Sequence, residues 1–398
     1  MSTASTHWSD RFQLGTEPIP VDSVTQPEYF EREREKLFRR VWLNIGREED
    51  LPKTGSYFVK DIDVLRASLL VVRGSDGVVR SFHNVCRHRG NRVAQACSGS
   101  AKGFACDFHG WAYDLEGKLV HVPDEDQFAN FRKAEHGLVP VATEVWRGFI
   151  FVNVDPERKE SLTEFLGETG RDLEDYPFDS MQRMVTYVLD MKVNWKVFLD
   201  AFSEGYHVPF VHKASIPKGF RPSDLAALAH LPSLGLYKRH RWFSAPGNPV
   251  LEATPSEAEI VKHDLRYTIG NAVPAERQPK GTNRDRVPFW SFDGTIVFPN
   301  LFIGAGAAWY WTYNYWPLAV DRTICEARFY AEKPRTAADF VGREYSKLLY
   351  RDAIREDMAR LEEVQQMLGS GALKAMLLSD QEVLIRHNYR VVEDYVRS

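Results

Sequence analysis

The chain has 398 residues and carries 51 Lys and Arg against 55 Asp and Glu, a formal net charge of −4. This length predicts about two domains, and the lack of a basic excess argues against nucleic acid as a partner. No stretch approaches the ~20 apolar residues of a membrane helix, and the first residues lack a signal-peptide pattern, so we expect a cytoplasmic protein without membrane contact. Four cysteines are too few for a disulfide scaffold.

The N-terminal half predicts a helix followed by a small all-β domain. Residues 27–45 have the apolar spacing of a surface helix. Beyond them, SLLVVRGSDGVVRSF predicts a hairpin with Gly-Ser-Asp-Gly at its tip, and GFIFVNVDP predicts a strand. Ser161 and Glu164 form a capping-box pattern that predicts a short helix.

The C-terminal half predicts an antiparallel sheet flanked by helices. Strand signals in TYVLDMKV precede a helix over 194–207, aromatic strands in TIVFPNLFIGAGAAWYWTYNYW and a helical segment from about residue 337. The whole order indicates an α+β protein. We predict three segments: an N-terminal helical segment, a small β-domain and an α+β domain, over residues 1–45, 46–160 and 161–398.

Two loops in the β-domain each present one thiol and one imidazole. In NVCRHRGNRVAQACSGSAKGFACDFHGWAY, Cys86 and His88 are followed by Cys106 and His109. Two sulfurs and two nitrogens suit a tetrahedral zinc ion or a [2Fe–2S] cluster with two histidine ligands. Structural zinc sites usually pair cysteines in one knuckle and histidines in the other, so the mixed loops favour the cluster without deciding the matter.

The stretch DAFSEGYHVPFVH places Glu204 one helical turn before His207 and sets His212 five positions later. On one continuous helix the two histidines would point about 140° apart. We expect Pro209 to end the helix, so that His212 turns back toward His207 and both bind one metal. The alternative is an ordinary helix end beside a solvated acidic face. Four aromatic residues predict a packing face, namely Trp195, Phe198, Phe202 and Tyr206.

A third ligand is indicated by periodicity in YRDAIREDMARLEEVQQML. Asp357 lies on the apolar stripe, which consists of Ile354, Met358, Leu361, Val364 and Leu368. A carboxylate on a core-facing stripe is costly unless it is paired or bound to a metal. Glu356 fits an outward-facing position better, as do Glu362 and Glu363. His207, His212 and Asp357 therefore predict the two-histidine, one-carboxylate triad of non-haem Fe(II) oxygenases.

The chain resembles the catalytic alpha subunit of Rieske non-haem iron aromatic-ring-hydroxylating oxygenases. The resemblance covers both domains and rests on C-x-H-x17-C-x2-H, NWK, E-x2-H-x4-H and ED-x6-VQ. It implies a [2Fe–2S] cluster on Cys86, His88, Cys106 and His109, and a mononuclear Fe(II) on His207, His212 and Asp357.

The resemblance also implies a homotrimer in which Glu204 bridges His207 to His109 of the partner subunit. Most family members have aspartate at that position, so Glu204 is a departure. It keeps the charge, adds a methylene, and places the chain nearer oxygenases of quaternary ammonium compounds.

By this resemblance the protein is a terminal oxygenase that uses O2 and electrons from NAD(P)H. A separate reductase, with or without a ferredoxin, must oxidise the NAD(P)H, because Gly304-Ala-Gly306 lacks the third glycine of a dinucleotide turn. A beta subunit would also fit the resemblance. The rival classes are a zinc-stapled binding module and a Rieske protein that only transfers electrons.

The substrate is predicted only as a class, and the ligand set is common to mono- and dioxygenation. We expect hydroxylation of an apolar or aromatic small molecule, with a quaternary ammonium compound as the alternative. Phe202, Phe210 and Val211 are candidate pocket residues near the iron. Residues 245–287, rich in Pro, Gly and charge, predict a flap over the pocket.

Overall fold

The computed structural model describes residues 7–212, 215, 230–247 and 270–398. By its contacts the chain divides into two units, one formed by residues 37–165 and the other by residues 1–36 together with 166–398. No described helix is both long enough and apolar enough to cross a membrane.

Helices and strands are numbered in chain order through both units. The helices are α1 (Trp8–Arg11), α2 (Asp22–Thr25), α3 (Pro27–Glu33), α4 (Leu162–Asp172), α5 (Trp195–Asp200), α6 (Val208–Val211), α7 (Ala337–Leu368) and α8 (Val383–Arg397). The strands are β1 (Ile19–Pro20), β2 (Leu43–Arg47), β3 (Ser56–Ile62), β4 (Ala67–Arg73), β5 (Val79–His83), β6 (Ser98–Ser100), β7 (Phe104–Ala105), β8 (Ala112–Tyr113), β9 (Leu119–His121), β10 (Pro140–Trp146), β11 (Phe149–Asn153), β12 (Met181–Met191), β13 (Ser233–Leu236), β14 (Arg241–Pro246), β15 (Trp290–Val297), β16 (Leu301–Ala305), β17 (Trp309–Ala319), β18 (Arg322–Glu332) and β19 (Ala375–Met376).

The unit of residues 37–165 is built from antiparallel strands. A seven-stranded sheet has the order β2-β11-β10-β5-β4-β3-β6, and β7, β8 and β9 form a second, three-stranded sheet. The predicted hairpin is confirmed, since β4 pairs with β5 from Leu69 opposite His83 to Arg73 opposite Val79. The strand predicted in GFIFVNVDP is also confirmed as β11, whose five residues are all buried.

The other unit contains a seven-stranded antiparallel sheet with the order β12-β18-β17-β16-β15-β14-β13. The long helix α7 contacts β12 and β18. It begins at a capping box in which the Thr336 hydroxyl accepts from the Asp339 amide and the Asp339 carboxylate accepts from the Thr336 amide. One unit thus combines an antiparallel sheet with packed helices, and the other is a small β-unit. Together they confirm the predicted α+β class.

One predicted element is shorter than expected. The helix predicted over residues 27–45 ends as α3 and a π-helical turn at Arg34–Phe38, and β2 begins at Leu43. All five residues of β2 are buried, which suits a strand covered on both faces better than a one-sided surface helix. The capping box of Ser161 and Glu164 is confirmed, because each side chain accepts a hydrogen bond from the other residue's amide.

Candidate metal centres

The two Cys-His loops have the same backbone turn. The first follows β5 and the second joins β7 to β8. In each, the amide of a glycine four residues after the cysteine donates to the cysteine carbonyl, at 3.0 Å from Gly90 to Cys86 and 2.9 Å from Gly110 to Cys106. Both glycines have positive φ, +83° and +72°, which is strained for any residue with a Cβ. The glycines in HRG and FHG therefore permit the turns that present the histidines.

The four side chains of these loops differ in exposure. The Cys86 and Cys106 side chains belong to the core, with 3% and 2% of their surface exposed. The His88 and His109 rings are half-buried, with centroids 4.5 Å apart and planes at 74°. This arrangement places the sulfurs inside and the imidazoles toward the outer edge.

Neighbouring polar groups contact both sulfurs. The Tyr113 hydroxyl lies 3.5 Å from Cys86 Sγ, and Asn91 Nδ2 donates to Cys106 Sγ at 3.6 Å. Hydrogen bonds of this kind stabilise thiolate sulfur and tune the potential of iron–sulfur clusters. The sequence did not reveal either contact, because Asn91 and Tyr113 belong to no metal-binding pattern.

The donor set fits a [2Fe–2S] cluster. His88 Nδ1 is buried and has no hydrogen-bond partner in the described structure, which is costly unless another group binds it. Burial, reinforced by the charge of His109, lowers the pKa of His88 and favours the neutral imidazole that metals bind. Two buried thiols and two outer imidazoles match a cluster with sulfur ligands on one iron and nitrogen ligands on the other.

The second centre is built on the segment that begins with Asn194. This residue caps α5, since its side chain accepts from the Lys196 amide, and its own amide donates to Gln365 on α7. Trp195 Nε1 donates to Glu33 at 3.1 Å, and Lys196 forms an ion pair with the same carboxylate. The NWK motif therefore anchors the histidine segment to α7 and α3.

The chain between the two histidines differs from the prediction. Helix α5 already ends at Asp200, and His207 caps the short helix α6, in which Pro209 lies in the first turn. A first-turn proline is well tolerated because its missing N–H has no helical partner there. The expectation that Pro209 ends the helix was therefore wrong, although His212 does turn back toward His207. Tyr206, predicted to pack, is 54% exposed.

Three ligand-type atoms converge between this segment and α7. Asp357 Oδ1 lies 3.5 Å from His207 Nε2 and 3.2 Å from His212 Nε2, and the three ligand atoms lie within 4.8 Å of one another. Asp357 is only 5% exposed, as its place on the buried stripe of α7 predicts. A buried carboxylate between two imidazole nitrogens fits one metal ion with open positions.

The remote nitrogen of each imidazole contacts a carboxylate. His207 Nδ1 contacts Glu204, whose other oxygen accepts from the His207 amide at 3.0 Å. His212 Nδ1 lies 3.0 Å from Glu356 Oε2. The outward-facing role predicted for Glu356 was wrong: it lies off the apolar stripe, but the 207–212 segment covers that side of α7.

The carboxylates also change the electrostatics of His212. Burial lowers the pKa of this imidazole, but the hydrogen bonds and negative charges of Asp357 and Glu356 outweigh burial and raise it above the ordinary value. A bound cation would replace the proton that these carboxylates attract.

A cavity of about 200 Å³ opens beside the triad. Its walls are mainly apolar and aromatic, and the lining residues are Ala201, Phe202, Glu204, Gly205, His207, Val208, His212, Ser215, Leu231, Phe243, Ala245, Pro246, Gly270, Phe292, Phe302, Trp311, Tyr313, Leu349, Tyr350, Ala353 and Asp357.

The predicted pocket residues have different positions. Phe202 lines the cavity, whereas Phe210 and Val211 are not among the lining residues and Phe210 is 61% exposed. Of the aromatic run 309–316, Trp311 and Tyr313 line the cavity, and the run as a whole is buried in β17. Residues 248–269, about half of the flap predicted over 245–287, lie outside the described residues.

The fold and the two centres define a Rieske [2Fe–2S] protein with a second, mononuclear metal centre. Residues 41–132 match the family model "Rieske [2Fe-2S] domain", and residues 178–398 match "Ring hydroxylating alpha subunit (catalytic domain)". The second match covers more than half of the chain, which therefore belongs to the ring-hydroxylating oxygenase alpha-subunit family.

Curated relatives include oxygenases of two substrate classes. The chain is 34% identical over 230 residues to biphenyl 2,3-dioxygenase subunit alpha of Rhodococcus jostii, covering 55% of this chain and 48% of the relative. It is 32% identical over 196 residues to the carnitine monooxygenase oxygenase subunit of Escherichia coli, covering 49% of this chain and 52% of the relative. The matched region thus spans about half the length of these relatives.

Solved structures share the fold across nearly the whole chain. A quaternary ammonium Rieske monooxygenase in complex with gamma-butyrobetaine is similar with a TM-score of 0.73 and 18% identity, covering 97% of this chain and 98% of that structure. Naphthalene 1,2-dioxygenase from Rhodococcus sp. bound to indole has a TM-score of 0.72 and 22% identity, covering 95% and 94%.

Proposed function

We propose that this protein is the terminal oxygenase of a multicomponent system and hydroxylates an apolar or aromatic small molecule with O2. The observation that carries the proposal is the convergence of His207, His212 and Asp357 beside an aromatic cavity. A zinc-stapled binding module and a simple electron carrier both leave this second centre without a role. The domain boundaries at residues 45 and 160 remain part of the proposal.

Four residues of the β-unit would hold the cluster. Three residues of the other unit, His207, His212 and Asp357, would hold the mononuclear iron. Cys86 and Cys106 would bind one cluster iron, and His88 and His109 the other. When bound, the cluster supplies single electrons and the mononuclear iron supplies reductive activation of O2.

The chain's own side chains prepare the second centre for a cation. Glu204 at Nδ1 of His207 and Glu356 at Nδ1 of His212 favour the tautomer in which each Nε2 lone pair faces Asp357. The phenyl, indole and aliphatic walls of the cavity offer few hydrogen-bonding groups to water, which favours binding of an apolar molecule beside the second centre.

We further propose that Glu204 connects the two types of centre between subunits. Its carboxylate already contacts His207 Nδ1, and the family resemblance implies His109 of the partner subunit as its second contact. The extra methylene relative to aspartate lengthens this bridge and leaves its charge unchanged. A homotrimer and electron delivery from a reductase or ferredoxin follow from the same resemblance. We also propose a cytoplasmic setting, which rests on the sequence patterns described above and not on the resemblance.

The lining of the cavity favours an uncharged substrate. The acidic residues among the described lining residues are Glu204 and Asp357, and both contact His207. A cationic substrate would depend on aromatic faces alone, each worth about 0.5–2 kcal/mol, unless a residue outside the described ranges supplies a carboxylate. We therefore place a bulky apolar or aromatic compound first.

A quaternary ammonium compound is the second candidate, for two reasons. Trp311, Tyr313 and Phe292 offer ring faces of the kind that bind trimethylammonium groups. Relatives named for choline, carnitine and glycine betaine match the chain at 30–33% identity.

The proposal is tested on anaerobically purified protein by iron and sulfide analysis and a reduced EPR spectrum. About three irons and two sulfides per chain are expected, with a Rieske signal. Substrate-dependent O2 consumption is then compared for biphenyl, naphthalene and indole against choline, carnitine and glycine betaine, with a reductase as electron source. Faster consumption with the quaternary ammonium set would reverse our order of substrates, and zinc in colourless protein would overturn the function.

A further inference from the structure

Glu356 and Asp357 are neighbours on α7 and contact the two nitrogens of one imidazole. Asp357 Oδ1 lies 3.2 Å from His212 Nε2, and Glu356 Oε2 lies 3.0 Å from His212 Nδ1. Consecutive helical side chains diverge by about 100°, so two adjacent carboxylates can reach opposite edges of a ring placed between them. One rigid helix thereby contacts His212 on both sides.

A serine completes this arrangement. The Ser215 hydroxyl donates to the same Glu356 oxygen that faces His212, and it lies 3.4 Å from His212 Nδ1. The side chains of His212 and Glu356 are 10% and 20% exposed, so the contact is largely screened from solvent. Hydrogen bonds to a shielded carboxylate are stronger and more directional than those on an open surface.

We infer that Glu356, supported by Ser215, is a positioning residue that holds His212 ready for the mononuclear metal. The inference rests on the proposed function, since it assumes that His207, His212 and Asp357 bind a metal ion. An acceptor at Nδ1 keeps the imidazole proton there and leaves the Nε2 lone pair for the ion. It also fixes the plane of the ring, which otherwise rotates about its side-chain bonds.

Glu356 differs from the other carboxylate of the centre in having no proposed part in electron transfer. Glu204 contacts His207 Nδ1 in the same way, but we assign it a second task as the bridge between subunits. Removal of Glu204 is therefore expected to change metal binding and electron delivery together, so its effect on activity cannot be assigned to either one. Loss of Glu356 isolates the effect on metal binding, which makes it the better probe of histidine positioning.

The test measures the affinity of the full-length protein for Co(II). The cluster is kept oxidised, the mononuclear site is emptied with a chelator, and Co(II) binding is followed by isothermal titration calorimetry. Glu356→Ala is expected to weaken Co(II) binding by about 10–100-fold. Glu356→Gln retains an acceptor oxygen and is expected to recover most of this loss, and Ser215→Ala is expected to show a smaller loss than Glu356→Ala.

The matched control is Glu363→Ala on the same helix, because Glu363 is 65% exposed and pairs only weakly with Arg360. It is expected to leave the Co(II) affinity unchanged. Wild-type affinity in Glu356→Ala would overturn the inference. If Glu356→Ala fails to fold, Glu356→Met takes its place, because it keeps the bulk of the side chain and removes the acceptor at His212 Nδ1; wild-type Co(II) affinity in that variant overturns the inference.

Failure of the proposed function looks different in the same experiment. In that case the wild-type protein would bind no stoichiometric Co(II), or Asp357→Ala would bind Co(II) as tightly as wild type. Neither result is expected if only the role of Glu356 is wrong, since the triad itself would still bind one ion.

Discussion

Lys196 and Glu33 lie 163 residues apart and form an ion pair in which neither side chain is exposed to solvent. Trp195 donates to the same carboxylate, so the pair joins α3 to the start of the histidine segment. The motif NWK is thus a structural anchor of the second centre, and its lysine has no direct contact with the metal ligands.

Glu33→Gln is expected to destabilise the protein by about 3–5 kcal/mol, because it leaves the Lys196 charge buried and unpaired. The double variant Glu33→Gln, Lys196→Met is expected to regain much of this loss. Chemical denaturation followed by circular dichroism measures both. The control is Glu363→Gln, whose pair with Arg360 is 65% exposed on both sides and should contribute less than about 1 kcal/mol. Equal losses for Glu363→Gln and Glu33→Gln would contradict this account.

Asp357→Ala is expected to remove the mononuclear iron and leave the cluster intact. The variant loses the carboxylate that both Nε2 atoms face, at 3.5 Å from His207 and 3.2 Å from His212. Iron should fall from about three to about two per chain, with unchanged sulfide and an unchanged Rieske spectrum. Retention of the third iron would show that the metal lies elsewhere.

Cys106→Ser is expected to abolish the visible and EPR signature of the cluster. Its thiol is buried beside Asn91, in a loop that a glycine turn shapes. The natural control is Cys97→Ser, since Cys97 is an exposed free cysteine that lies nine residues before Cys106, ahead of β6. Loss of colour in both variants would indicate that general instability, and not ligand loss, removes the cluster.

Glu204→Gln is expected to reduce turnover by on the order of 100-fold while both metal centres stay occupied. Glutamine keeps an acceptor for His207 Nδ1 but loses the charge that we assign to the bridge. Glu204→Asp restores the carboxylate common in the family and should keep much more activity. The measurements are O2 consumption with substrate and iron content. Near-normal turnover in Glu204→Gln would rule out the bridge.

The buried His387 is expected to make the protein sensitive to acid. Burial, reinforced by the charge of Arg241, lowers the pKa of His387 from 6.5 to about 3. The contribution to stability is therefore present above pH 6.5 and is lost as the pH falls toward 3, because the unfolded chain takes up the proton first.

His387→Gln should remove this pH dependence. In the wild-type protein we expect the free energy of unfolding to fall by about 1.4 kcal/mol per pH unit below pH 6.5, which amounts to roughly 2 kcal/mol at pH 5. The free energy of unfolding is measured between pH 7 and pH 5 for wild type and variant. His121→Gln, at an exposed position, is the control. Parallel pH profiles for wild type and His387→Gln would exclude this histidine as a source of acid sensitivity.

The sequence was sufficient to predict those features of both centres that depend on local patterns. The cluster loops lie within 24 residues, so spacing alone brought Cys86, His88, Cys106 and His109 together in the prediction. Asp357 was found because a 32-residue helix has a regular period, and a carboxylate on its buried stripe is conspicuous.

Features that depend on tertiary packing were not predicted. Glu356 lies off the buried stripe, and only the return of the 207–212 segment onto that side of α7 makes it a partner of His212. The pairing of Lys196 with Glu33 joins residues too distant in sequence for any local pattern. Pro209 was assigned the end of a helix, although a proline suits the beginning of one equally well.

The ligands of the two centres are distributed very differently along the chain, and this orders their assembly during synthesis. The β-unit closes at residue 165, so its thiols and imidazoles can fold into a cluster site while the rest of the chain is still being translated. The proposed second centre is complete only once Asp357, 145 residues after His212, has also been synthesised. The order of the ligands along the chain therefore allows the cluster site to form before the mononuclear site, and not the reverse.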